Sequence, residues 1–146
     1  MKQTEYSNAF ARICGGADYP TVRGRVAFFQ HCDGVVVEAE VWGLPRTQSG
    51  FFAFHIHEGR ICSGEGFPNA GGHFNPGHGE HPCHAGDLPP LLADSGRAWL
   101  KVLTTRFRVE DVIGRTVILH GAPDDFHTQP SGSAGEKIAC GVIRRI

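Results

Sequence analysis

Polar and apolar residues alternate most cleanly at Val37-Glu38-Ala39-Glu40-Val41, with valine and alanine on one side and glutamate on the other. A period of two marks a strand with one buried and one wetted face. Comparable runs lie near residues 9–14, 22–31, 34–42, 51–57, 87–93, 97–103, 115–120 and 138–143, most of them bounded by Gly, Pro or Asp. They predict eight short strands and therefore a sandwich or barrel. Asp33-Gly34 predicts a two-residue hairpin turn between the second and third runs. In the fourth run the alternation places Phe52, Phe54 and Ile56 on one side and His55 and His57 on the other. In the seventh it sends Val117 and Leu119 inward and leaves His120 with Ile118 outside. All three histidines are thus expected on the outer wall, away from the core.

Two segments lack a strand pattern. Residues 58–86 are rich in Gly, Pro and His, and a loop of that length in a compact domain is usually functional or disordered. Its potential ligands, His73, His78, His81 and His84, favour function. Residues 121–136 carry Asp124, Asp125, His127 and Pro130 and are expected to cover the same site from the other side. With 146 residues and no repeat or linker, the chain is expected to form a single domain over 1–146, with 1–8 as a frayed arm.

Composition sharpens this picture. Twenty glycines, nine prolines and ten phenylalanines against one methionine favour strands and tight turns over helices. A net charge of -1 argues against a nucleic-acid partner, which would call for an excess of Lys and Arg. No apolar run is long enough for a secretory signal or a membrane span, so the chain as written is expected in the cytoplasm, or in the periplasm or outside the cell if a leader was removed. Five cysteines leave at least one unpaired, which fits a reducing compartment. Cys14 and Cys32, within strand-like runs, are expected to be small buried apolar residues.

The histidines carry the chemistry. Positions i and i+2 of a strand share a face, so His55 and His57 can aim two imidazoles at one point, to be joined by His73 and His120. Four neutral imidazoles suit tetragonal Cu(II). His73, His81, His84 and Asp87 offer three nitrogens and one carboxylate oxygen, a donor set for tetrahedral zinc. His73 belongs to both sets.

From about Val22 to the C-terminus the chain resembles the copper/zinc superoxide dismutase family. The resemblance rests on His-Ile-His-Glu, Gly-Gly-His-Phe-Asn-Pro, His-Ala-Gly-Asp-Leu, Ile-Gly-Arg-Thr-Val-Ile-Leu-His, Asp124-Asp125 and Ala139-Cys140-Gly141-Val142-Ile143, in that order. It implies an all-β, eight-stranded Greek-key β-sandwich or barrel, immunoglobulin-like, with two long functional loops. It further implies dismutation of superoxide to oxygen and hydrogen peroxide, with His55, His57, His73 and His120 on copper and His73, His81, His84 and Asp87 on zinc. His73 would bridge the metals and carry a proton. Asp124 would link a copper histidine to a zinc histidine, with His55 and His81 as its partners, and Cys62 and Cys140 would form the intrasubunit disulfide. Superoxide is the implied substrate; a homodimer is left open, and neither nucleic acid nor membrane is implied as a partner.

The chain departs from the family pattern twice. Lys137 stands where the family usually has an arginine that guides the anion; it keeps the charge but not the planar fork, and Glu136 beside it is expected to weaken the field. Only Pro82 and Cys83 separate His81 from His84. Three residues span at most about 10 Å, so both rings can reach one zinc at about 2.0–2.1 Å. Orientation across Pro82 is the harder condition, and His78 and Cys83 are spare donors. The leading expectation is therefore an enzyme; the alternatives are a copper-binding or copper-buffering module on the same fold, and a structural domain that binds little metal.

Overall fold

In the computed structural model, which describes residues 7–146, eight strands form: β1 Ala9–Gly15, β2 Arg23–His31, β3 Gly34–Trp42, β4 Phe51–His57, β5 Asp87–Asp94, β6 Arg97–Thr104, β7 Thr116–His120 and β8 Lys137–Arg145. Each falls within two residues of a run expected from alternation. Among the described residues helix is confined to a 3-10 turn at Pro68–Ala70 and a single turn, α1, at Val109–Val112. The strands close into an antiparallel barrel in the order β1-β2-β3-β6-β5-β4-β7-β8. The neighbours β3/β6 and β4/β7 are distant in sequence, which is the Greek-key crossing. Closure removes the unpaired strand edges that would otherwise invite association.

The barrel interior follows from strand parity. Ala9, Ala11 and Ile13 of β1, Val26 and Phe28 of β2, and Val35, Val37, Ala39 and Val41 of β3 are buried in one cluster with Phe52, Phe54, Ile56, Val117 and Leu119. Ile118 and Cys140 face the opposite way and pack with Phe67, Ala70 and Cys62 in a second, smaller cluster under the 58–86 loop. Cys62 and Cys140 are disulfide-bonded across 78 residues. Closing a loop of that size stabilises a chain by roughly 4–5 kcal/mol in the entropy estimate, and here it anchors the loop to β8.

Three expectations need correction. Cys14 and Cys32 are exposed, not buried. Parity puts Cys14 outward with Phe10 and Arg12, and Cys32 lies in the β2–β3 turn. That turn is Cys32-Asp33 rather than Asp33-Gly34, because Gly34 already pairs with His31; a β-carbon at Gly34 would stand 2.6 Å from the Thr104 carbonyl. The histidines do leave the barrel interior, yet they are not on an open wall: His55, His57 and His120 are 0%, 2% and 3% exposed beneath the loops. Of the expected frayed arm, residues 1–6 lie outside the described residues, while Asn8 donates to the Phe28 carbonyl at 2.8 Å and accepts from Gln30 N at 2.6 Å. Among the described residues no helix is long and apolar enough to cross a membrane.

Burial separates the two sides of the wall energetically. Phe28→Ala, at 0% exposure, is expected to lower stability by about 3–5 kcal/mol. Trp99→Ala, at 59% exposure, should change it by about 0.5 kcal/mol or less. Urea unfolding of the metal-free protein reports both; similar losses would mean that parity does not define the core.

Candidate metal centre

Backbone pairing sets the site. β4 carries His55 and His57, and its residues Phe54 to His57 lie antiparallel to Leu119 to Thr116 of β7. His73 reaches the same wall because His57 and His73 form an isolated bridge. Phe74 N donates to Ile56 O at 2.8 Å, and Gly86 N donates to Phe74 O at 2.9 Å. The loop therefore runs along β4 as an irregular extra strand and delivers His73 on one pass and His84 and Asp87 on the next.

Two clusters result. One donor atom from each of His55, His57, His73 and His120 lies within 4.8 Å of the others. His57 Nε2 stands 3.2 Å from His120 Nε2. In the second cluster His73 Nδ1 lies 2.7 Å from Asp87 Oδ1 and 3.1 Å from His84 Nδ1. His81 Nδ1 and His84 Nδ1 lie 3.1 Å and 3.3 Å from Asp87 Oδ2. A donor of His55 is also within 4.8 Å of His73, His81 and Asp87. That proximity does not place His55 in the second cluster, since its Nε2 is taken by Asp124 and its Nδ1 is the atom left for the first. The short His81–His84 spacing is no obstacle, for both rings reach the same Asp87 oxygen. His78 and Cys83 are exposed and belong to neither cluster.

The far nitrogen of each ring decides which lone pair remains. Asp124 accepts from His55 Nε2 through Oδ2 and from His81 Nε2 through Oδ1, both at 2.8 Å. His57 Nδ1 donates to the Gly71 carbonyl at 2.7 Å and His120 Nδ1 to the Gly135 carbonyl at 3.2 Å. These bonds fix tautomers and ring orientations in the way that ligand histidines require. His57 Nε2 and His120 Nε2 then face each other as two lone pairs, an arrangement that a cation between them would make favourable. Among the described residues, three of the four buried side-chain polar atoms without a hydrogen-bond partner are His55 Nδ1, His73 Nε2 and His81 Nδ1. The donor sets thus fit two metal ions, one borne by four imidazoles and one by three imidazoles and a carboxylate.

Burial keeps the rings of His55, His57 and His120 neutral and ready to bind. It lowers the pKa of His55 and His57 to about 2, reinforced by neighbouring histidines, and that of His120 to about 4. His84 is also lowered, mainly by burial. For Asp87 burial acts upward, but the hydrogen bond from His73 and the electrostatic attraction of His73, His81 and His84 hold the carboxyl below its usual range.

Lys137 sits directly across the sheet from His120. Its Nζ donates to the carbonyls of Phe67 and Gly71, both at 3.2 Å. The Gly71 carbonyl therefore serves both His57 and Lys137. Burial lowers the pKa of the ammonium. Glu136, expected to weaken the local field, accepts a hydrogen bond from the Tyr19 hydroxyl.

Several contributors carry no sequence signal that alternation or ligand type could expose. Gly71 and Gly135 act only through their carbonyls. Gly132, with a left-handed φ of 72°, lies so close to the bridging carboxylate that a β-carbon would stand 2.0 Å from Asp124 Oδ1 and 2.7 Å from His81 Nε2. Gln129 holds both backbone polar groups of His81.

Comparison with known proteins agrees with the geometry. The family model of copper/zinc superoxide dismutase (SODC) matches residues 22–143. A copper/zinc superoxide dismutase of Aquifex aeolicus is 35% identical over 136 residues, covering 83% of this chain and 79% of that protein. That of Legionella pneumophila is 33% identical over 137 residues, covering 86% and 80%. The human copper chaperone for superoxide dismutase is 32% identical over 158 residues, covering 98% of this chain and 55% of the chaperone.

The depressed histidine pKa values make the metal-free protein acid-sensitive. On unfolding, His55, His57 and His120 regain ordinary values near 6.5, so below that pH the unfolded state binds more protons and stability falls as pH falls. Between about pH 6 and 4 the slope should approach about 4 kcal/mol per pH unit, the value for three protons taken up. Urea midpoints of the metal-free protein across that range report the slope, and a flat profile would show that these rings are not buried neutral.

Proposed function

Since the chain belongs to the copper/zinc superoxide dismutase family, and disproportionates superoxide to oxygen and hydrogen peroxide, we propose that its 146 residues form one such domain with His55, His57, His73 and His120 as copper ligands. We assign zinc to His73, His81, His84 and Asp87. The observation that supports both sets is the direction of the lone pairs: His55 Nδ1 and His73 Nε2 point into the first cluster and His81 Nδ1 into the second, each without a hydrogen-bond partner. Copper, when bound, supplies the one-electron couple that accepts an electron from one superoxide and returns it to another.

The residues supply the rest. Two superoxide anions and two protons give one oxygen and one hydrogen peroxide, so a proton source must stand at the reacting end of the site. His73 is held at Nδ1 by Asp87 and turns Nε2 toward the first cluster, which makes Nε2 the atom that gives and recovers a proton. Asp124 holds His55 and His81 by one oxygen each, so the two ligand sets cannot rotate independently. Lys137 supplies a positive charge next to His120, anchored on the two loop carbonyls. A compact ammonium attracts an anion without gripping it through two parallel donors. His73, His81, His84 and Asp87 would hold zinc, which would keep His73 in place.

The match to a copper chaperone favours a second reading, a copper-binding module with little turnover. Superoxide decay per bound copper separates the two.

Two outcomes test the residue assignments. His120→Ala and His55→Ala should each remove dismutation and copper binding while metal-free circular dichroism still reports a β barrel; near-normal activity in either would overturn the copper set. Lys137→Glu should lower the second-order rate severalfold at low salt and invert its salt dependence, because steering follows the sign of the local field and fades with ionic strength. Its copper content should not change. An unaltered rate at low salt would assign guidance to another group, with Arg144, Arg145 and His127 the next to test.

A further inference from the structure

Among the groups that the dismutation chemistry does not use, Gln129 makes the most specific contact with the site. Its Oε1 accepts from the backbone N of His81 at 2.8 Å, and its Nε2 donates to the backbone O of the same residue at 2.7 Å. A third bond from Nε2 to the His127 carbonyl, at 3.1 Å, holds the amide to its own loop. The orientation of the carboxamide is dictated, since only its oxygen can accept from an N–H and only its NH2 can donate to a carbonyl. Gln129 thus pairs with His81 as a neighbouring strand would, and it does so from residues 121–136, the loop that also carries Asp124.

We propose that Gln129 is a positioning residue for the second histidine cluster: by fixing the His81 backbone it lets that ring present Nδ1 to the metal while Nε2 stays on Asp124. The proposal rests on the reading of His73, His81, His84 and Asp87 as the zinc set. The need for such a brace follows from the short spacing. With only two residues between His81 and His84, the loop has little length with which to adjust one ring independently of the other. Arg106 holds the far end, donating from Nη1 to the carbonyls of Pro82 at 2.7 Å and His84 at 3.2 Å. Gln129 holds the near end. A His81 backbone free to shift would carry its imidazole off both Asp87 and Asp124, and through Asp124 would loosen His55 as well.

Gln129 is exposed, so replacing it opens no core cavity, and an effect on metal binding can be separated from an effect on folding. The experiment measures zinc affinity by chelator competition in the parent, Gln129→Ala, Gln129→Glu and Asp87→Ala. It is accompanied by the visible spectrum of Co(II) placed in the zinc site and by urea unfolding of each metal-free protein. Gln129→Ala should weaken zinc about tenfold, the lower end of the range for groups that orient a ligand, and alter the Co(II) bands while leaving the metal-free urea midpoint unchanged. Gln129→Glu should lose at least as much, because its second oxygen would face the His81 carbonyl. Zinc affinity within twofold of the parent in Gln129→Ala would overturn the proposal, as would parent-like affinity in Gln129→Glu. A loss matched by lower metal-free stability, with unaltered Co(II) bands, would make the residue merely structural and also overturn it. If Asp87→Ala retains zinc at parental affinity, the zinc reading itself fails, and the role of Gln129 falls with it.

Discussion

Lone pairs of buried imidazoles converge on two points in the barrel's outer wall, and such an arrangement is tolerable only if the rings stay neutral and their other nitrogens are spoken for. Burial supplies the first condition by holding His55, His57 and His120 well below the ordinary histidine pKa. Asp124 and the carbonyls of Gly71 and Gly135 supply the second. Remove either condition and a ring protonates or rotates, and its metal-facing nitrogen is lost. The closed barrel matters to function chiefly because it gives these rings a rigid wall.

The two loops divide the work between them. Residues 58–86 bring His73, His81 and His84 to that wall and are tied down by the Cys62–Cys140 disulfide and the small cluster around Phe67 and Ile118. Residues 121–136 bring the acceptors, Asp124 and the Gly135 carbonyl, and the Gln129 brace. The two loops meet at His81, whose backbone N and O both pair with the Gln129 side chain and whose ring donates to Asp124. The Gly71 carbonyl shows how tightly the functions are shared, since it orients His57 and anchors Lys137 at once.

Much of this was legible in the sequence because it is periodic. Alternation located all eight strands, and the i, i+2 spacing of His55 and His57, with parity at Val117-Ile118-Leu119-His120, put the histidines on the face opposite the core. The same parity, applied to Phe10, Arg12 and Cys14, would have turned Cys14 outward; β-strand context alone suggested burial. Residues that act through a backbone carbonyl, or by fitting one position of an irregular loop, leave no periodic trace. Gly71, Gly135, Gly132 and Gln129 are of that kind. Lys137 was visible as a departure from the arginine pattern, but its two carbonyl acceptors and the diversion of Glu136 to Tyr19 depend on how the loops fold back.

In the proposed site His73 serves both clusters, with Nδ1 beside Asp87 and Nε2 facing the first set. Electron paramagnetic resonance of Cu(II) tests it most directly, comparing protein whose second site holds diamagnetic zinc with protein in which that site holds paramagnetic Co(II). A shared imidazole couples the two spins, so the expected result is a normal Cu(II) signal with zinc and its loss or severe broadening with Co(II) at the same copper content. A Cu(II) signal unchanged by Co(II) would contradict it.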